Sequence, residues 1–156
     1  MITIIFLSLN LAAAPESSVL KLRQSAIERK LKAYEIKNAT DISLAMAQAS
    51  LKYKLDYNLL IKIMMVESRG DVRAYNKHTK DYGVMQINKN TAKAFNIKNT
   101  CYFDAHCNIH AGAMILKDLQ RYKNYRPCMY NLGPRALKGD RLKKCLAYEK
   151  KLDKFK

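Results

Sequence analysis

The sequence has no tryptophan, five glycines and three prolines in 156 residues. So little turn chemistry argues against a sandwich of many short strands and in favour of helices. Acidic side chains are also scarce, with 13 Asp and Glu against 29 Lys and Arg, a net charge of +16. The last forty residues hold 13 of those basic groups and 4 of the acidic ones. A field of that sign favours polyanionic surroundings, whether nucleic acid, anionic lipid or cell wall, without choosing among them. Biased composition with Lys as the default surface residue explains it equally well. A hydrophobic content of 49% and a charged content of 27% exclude a disordered chain. The length suits one domain with a real core.

Charge is missing altogether before Glu16. Residues 2–14 are mostly apolar. The run is too short to cross a bilayer as a helix, but it suits the apolar region of a secretory signal. Ala12, Ala13 and Ala14 offer a small-residue cleavage site. No Lys or Arg precedes the run, and Pro15 follows the site directly; both are untypical. The expectation is export to the periplasm with residues 1–14 as the signal, or inner-membrane association if the leader is kept. A misplaced start is the other alternative.

Four cysteines, Cys101, Cys107, Cys128 and Cys145, make an even number. In an exported chain they suggest two disulfides, for which three connectivities exist. Local closure favours Cys101–Cys107 with Cys128–Cys145. Cys128 and Cys145 as buried free thiols is the alternative.

Apolar spacing predicts a mainly α fold. Residues 17–37 read as a basic amphipathic helix with Val19, Leu20, Leu22, Ile27, Leu31 and Tyr34 on one side, followed by a break at 37–40. Asp41 is a good N-cap for a buried helix over 42–55 carrying Leu44, Met46, Ala47, Leu51 and Leu55. Asp56 or Tyr57 opens the next helix, with Gly70 as its C′ residue. Residues 71–88 read as a loop or small hairpin, and 89–96 as a short helix. A longer helix runs over 107–122 with Ile109, Gly112, Ala113, Leu116 and Leu119 inward. Gly133-Pro134 stops a short helix. Asp140 caps a last, very basic one with Leu142, Cys145, Leu146 and Leu152 on one side.

The stretch "IMMVESRG" raises the chemical question. Leu60, Ile63, Met64 and Glu67 follow i, i+3, i+4, i+7 spacing, so the acid falls on the apolar stripe. A carboxylate there is costly when ionised, so its pKa should rise. A carboxylic acid still protonated near neutral pH can donate its proton to a leaving oxygen. The plainer alternative turns Glu67 outward to pair with Arg69 or Arg73. His106 and His110, four apart near Cys101 and Cys107, make a zinc site conceivable. Their spacing fits no established ligand pattern, and the cysteines are better used as a bridge, so no metal or cofactor is expected. His78 sits in a polar loop. Tyr122, Tyr125 and Tyr148, interleaved with Lys, can stack on sugars or bases but more often serve as amphipathic surface and core.

"ESRG" is followed by "DYGVMQIN" at 81–88, "CNIHAGAMIL" at 107–116 and "MYNLGP" at 129–134. This order resembles the lysozyme-like lytic transglycosylases, and in particular the small single-domain members that accompany secretion and conjugation machines. The resemblance covers 41–138, about two thirds of the chain. It implies a lysozyme-like fold with a small hairpin lobe beside a cleft. It also implies cleavage of the β-1,4 bond between N-acetylmuramic acid and N-acetylglucosamine, leaving 1,6-anhydro ends. By position Glu67 matches the family's catalytic acid/base, and Ser68 the serine that follows it. Gly83, Met85 and Gln86 match a segment lining the glycan groove. Asn108 matches a helix-start Asn, and Tyr130 and Asn131 match the "AYNAG" motif. Met129 and Leu132 replace that motif's alanines, so the groove wall is expected to be bulkier. Asn88 stands where larger members have Met. "DYGVMQIN" is also similar to the hairpin of animal lysozymes, which makes Asp81 a candidate second carboxylate; its alternative is a turn-stabilising role.

The implied organisation is a signal at 1–14, a basic helix at 15–40, the transglycosylase domain at 41–138 and a basic helix at 139–156 packing on it. The expected partners are peptidoglycan glycan strands and components of a secretion or conjugation machine. No nucleic-acid partner is expected, and the chain is expected to be a monomer. Two other readings stand: a hydrolase using Glu67 and Asp81, and a non-catalytic basic protein binding cell wall or nucleic acid.

Overall fold

The computed structural model describes residues 16–134 and 136–155. The proposed leader, residues 1–14, lies outside them. Seven α-helices and a three-stranded sheet are present among the described residues. No helix among these residues is long and apolar enough to cross a membrane.

Helix α1 (Glu16–Ala33) packs along α2 (Ala39–Tyr53), and α2 lies in turn against α5 (Ala105–Leu119). Ile27 and Leu31 are the buried residues of α1, whereas Leu22 is exposed. The expected helix over 17–37 stops early. Glu35 adopts a left-handed backbone, φ 58°, and the Ile36 amide returns to the Leu31 carbonyl at 3.0 Å. Because α2 sits between two neighbours, it is buried on more than one side: Ile42, Ala45, Met46, Ala47 and Ala49 are all covered. Its N-cap is Asn38, not Asp41. Asp41 lies inside the first turn, where its charge favours the positive end of the helix.

Helix α3 (Tyr57–Glu67) begins as predicted, with the Asp56 carboxylate accepting the Asn58 amide at 2.9 Å. Leu60, Ile63 and Met64 are fully buried. Each such side chain contributes about 1.5–3 kcal/mol by leaving water. The helix ends earlier than Gly70. Ser68 is the C-cap, and Arg69 takes the left-handed conformation at φ 54° while its amide returns to the Met64 carbonyl at 3.1 Å.

Residues 71–88 form more than a hairpin. Strands β1 (Tyr75–Asn76), β2 (Asp81–Tyr82) and β3 (Ile87–Asn88) make an antiparallel meander in that order. The register pairs Tyr75 with Tyr82 and Tyr82 with Ile87; the other row is Asn76, Asp81 and Asn88. Paired residues share a face, so one face carries two tyrosines and an isoleucine and the other is polar. Asn88 then caps α4 (Lys89–Ala94) by accepting the Asn90 amide.

Helix α5 starts at Ala105, two residues before the expected position, because Asp104 caps it through the Cys107 amide at 2.7 Å. Its buried face includes Ile109, Gly112, Ala113, Leu116 and Leu119, as the periodicity predicts. The chain closes with α6 (Met129–Leu132) and α7 (Arg141–Leu152). The inward residues of α7 are Cys145, Tyr148 and Leu152, while Leu142 and Leu146 are exposed. Two disulfides are present: Cys101–Cys107 ties the segment before α5 to its first turn, and Cys128–Cys145 ties the residue before α6 to α7. With the first bridge formed, Cys101 and Cys107 have no thiolate for a metal. His106 contacts Gln48 at 2.6 Å and stacks on His110.

Candidate active site

The last residue of α3 faces a cleft of about 750 Å³ between the sheet lobe and the α5–α6 side. Glu67, Asp81, Gln86, Tyr130 and Asn131 all line it, together with Thr79, Asn88, Phe95 and Tyr122. Residues scattered over sixty positions of sequence thus meet around one carboxyl group.

Glu67 is half-buried. Its Oε1 accepts the Tyr148 hydroxyl at 2.7 Å. Burial pushes the carboxyl above its ordinary value, and the charge of Asp81 adds to this. Hydrogen bonds from Tyr148 and Asn131 and the Lys151 cation pull the other way without cancelling it. The outward alternative, in which Glu67 pairs with Arg69 or Arg73, is not the arrangement observed. Burial also pushes the Tyr148 hydroxyl well above the usual tyrosine range, so it stays a neutral donor.

The sequence offers Tyr148 only as a tyrosine able to stack on sugars or to serve as core, and does not place it beside Glu67. Its signal lay three positions earlier: if Cys145 is bridged inward, the i+3 residue shares its face. The structure follows that geometry: of the expected stripe, Cys145 and Leu152 turn inward with Tyr148, while Leu142 and Leu146 are exposed.

Asp81 stands on the polar face of β2, within the cleft. Its carboxylate accepts the Thr79 hydroxyl and the Asn88 side-chain amide, the latter at 2.7 Å. Gln86 holds a left-handed backbone at φ 47° and donates to the carbonyls of Ala74 at 3.1 Å and Gly83 at 2.9 Å. The cleft wall is therefore tied to the turn that makes it.

Ser68, Gly83, Met85 and Asn108 act from behind that wall. The Ser68 hydroxyl donates to the Val84 carbonyl at 2.6 Å, joining the end of α3 to the lobe. Asn108 has no exposed surface, and Met85 none either. Asn108 accepts the Met85 amide at 2.8 Å and donates to the carbonyls of Tyr82 and Tyr102, both at 3.1 Å. Buried polar groups of this kind are costly unless paired, and here both ends of the amide are used. Gly83 has φ 74°, and a Cβ there would lie 2.0 Å from the Tyr102 carbonyl oxygen. Gly112 admits Met85 and Tyr130: an added Cβ would stand 2.9 Å from the Met85 Cβ and from the Tyr130 hydroxyl. That hydroxyl donates to the Met85 carbonyl at 2.9 Å.

A family model described as the transglycosylase SLT domain matches residues 45–152. The chain belongs to this family. Its mainly helical architecture is the lysozyme-like fold of these enzymes, and its activity is that of a lytic transglycosylase acting on peptidoglycan. No curated protein matches the chain. The match to the transglycosylase domain runs through α7, so Tyr148 and the Cys128–Cys145 bridge both lie within it.

Proposed function

We propose that Glu67 is the single acid and base of the reaction, cleaving the bond between N-acetylmuramic acid and N-acetylglucosamine. One observation carries this reading. A carboxyl group at the end of an apolar helix faces the cleft, with burial favouring its protonated form and a neutral tyrosine hydroxyl fixing one of its oxygens. A protonated Glu67 gives its proton to the glycosidic oxygen as the bond breaks. The positive charge on the sugar is met by the substrate's own N-acetyl group. The ionised Glu67, held by Tyr148 and Asn131, then takes the proton from the C6 hydroxyl, and that oxygen closes the 1,6-anhydro ring. No water is consumed.

Asp81 acts in this scheme through its field. It opposes ionisation of Glu67, and its own oxygens are engaged by Thr79 and Asn88. Gln86, Tyr130 and Asn131 line the glycan path, while Ser68, Gly83, Met85 and Asn108 shape it from beneath. Two disulfides suit an oxidising compartment, and the apolar leader supports export to the periplasm. A small single domain of this kind would open the wall locally for a secretion or conjugation apparatus. The basic surface would hold it to anionic wall polymer.

Turnover of purified peptidoglycan by Glu67→Gln tests the assignment. The folded variant is expected to lose at least about a thousandfold in rate, the upper part of what a positioned acid and base supplies in other enzymes. Retention of full turnover sinks it.

A further inference from the structure

Glu67 is faced by groups from three elements. Tyr148 and Lys151 come from α7, Tyr130 and Asn131 from α6, and Asp81 from β2. One of these elements is weakly anchored by itself. Helix α6 has four residues, too few to be stable alone. Between it and α7 the chain contains Gly133 and Gly139, both at positive φ and both in open space.

What joins them is side-chain chemistry. The Cys128–Cys145 bridge links the residue before α6 to the middle of α7, and both sulfur-bearing residues are fully buried. One helical step beyond Cys145 is Tyr148. Next to Tyr148 stands Glu149, whose two carboxylate oxygens take the Arg126 guanidinium in a forked pair. Arg126 lies two residues before Cys128. Two links on consecutive turns of α7 therefore fix its height and rotation against the segment that carries Tyr130 and Asn131.

Resting on the reading of Glu67 as the acid, we infer that the Cys128–Cys145 bridge and the Arg126–Glu149 pair are positioning groups of the reaction, registering α7 so that the Tyr148 hydroxyl meets Glu67. The cysteines do no chemistry and touch no substrate. Their role passes through Tyr148. A hydroxyl donated to a carboxylate favours the ionised form, so its withdrawal pushes the Glu67 carboxyl further up. The staple thus sets how basic Glu67 becomes after it has given up its proton, which is the state that must take the second proton.

The test compares Cys128→Ala/Cys145→Ala, Tyr148→Phe, their combination and Arg126→Leu. Circular dichroism checks the fold of each, and turnover of peptidoglycan is followed against pH. Loss of one hydrogen bond to a charged carboxylate corresponds to about one pH unit. Tyr148→Phe is expected to lower the rate and move the basic limb of the profile up by about that much. The double cysteine variant should move the limb in the same direction, and adding Tyr148→Phe to it should move it little further. Arg126→Leu, which keeps the bridge, should give a smaller displacement of the same sign. Removing the other bridge by Cys101→Ala/Cys107→Ala should leave the limb in place. A folded cysteine variant whose limb coincides with that of the parent overturns the inference, however slow that variant is. If the variant does not fold, an unmoved limb in Arg126→Leu does the same. Carboxyl carbon NMR of Glu67 without substrate gives the same comparison independently of turnover. It separates failure of this inference from failure of the Glu67 assignment, which the Gln variant alone decides.

Discussion

Asn108→Ala probes how much of the cleft depends on one buried amide. The substitution removes three hydrogen bonds, to the Met85 amide at 2.8 Å and to the carbonyls of Tyr82 and Tyr102 at 3.1 Å each. The Met85 N–H is left without its partner in a place with no exposed surface, which costs about 1–3 kcal/mol. The two carbonyls lose a donor each, at about 0.5–1.5 kcal/mol apiece. The sum is roughly 4 kcal/mol, a large share of the 5–15 kcal/mol typical of a domain. At about 2–4 °C per kcal/mol, the melting temperature should fall by roughly 8–16 °C in calorimetry. Asn108→Asp sharpens the test. At neutral pH an ionised carboxylate there would face two carbonyl oxygens, so its folded pKa would lie above the unfolded value of about 3.9. The variant should be destabilised at pH 7 and recover as pH falls through that folded value, because the protonated form restores a donor. A loss below about 1 kcal/mol for Asn108→Ala, or a flat pH dependence for Asn108→Asp, would refute the view that this amide holds the wall.

Three further outcomes are expected. Glu67→Gln should melt higher than the parent at pH 7, with the gap closing towards pH 4; the raised carboxyl is fully stabilising only below its unfolded value near 4.5 and loses that contribution as pH rises through its folded value, whereas Gln does not titrate. Gly83→Ala combines a positive φ with a Cβ 2.0 Å from a backbone oxygen, so denaturant titration should show a loss of more than about 2 kcal/mol. Asp81→Asn removes a charge that opposes ionisation of Glu67, so the basic limb of the pH–rate profile should move down while cleavage continues.

Much of the fold was written in spacing. The stripe of Leu60, Ile63 and Met64 is buried, and Glu67 shares it, because a helix of 3.6 residues per turn leaves no other azimuth for the i+7 position. The inward face of α5 and the cap at Asp56 followed from equally local rules. The sheet was less legible. Three strands of two residues carry no periodicity, and their pairing rests on two turns with positive φ, at Lys80 between β1 and β2 and at Gly83 and Gln86 between β2 and β3. Tyr148 was hidden for a different reason. On α7 the apolar spacing grouped Leu142, Cys145, Leu146 and Leu152; Cys145 and Leu152 do face inward, but they share that face with Tyr148 and not with the two leucines, and Cys145 is held there by its bridge to Cys128. Resemblance placed Gly83 and Met85 at the groove, but position in a motif says nothing about depth, and both prove to lie beneath the surface.

Mass spectrometry of the muropeptides released from purified peptidoglycan tests the central claim most directly. A single carboxyl group that gives a proton to the leaving oxygen and takes one from the C6 hydroxyl predicts 1,6-anhydro ends as the product of the parent enzyme, and none from Glu67→Gln. Reducing ends from the parent, which require water as the attacking group, would contradict it.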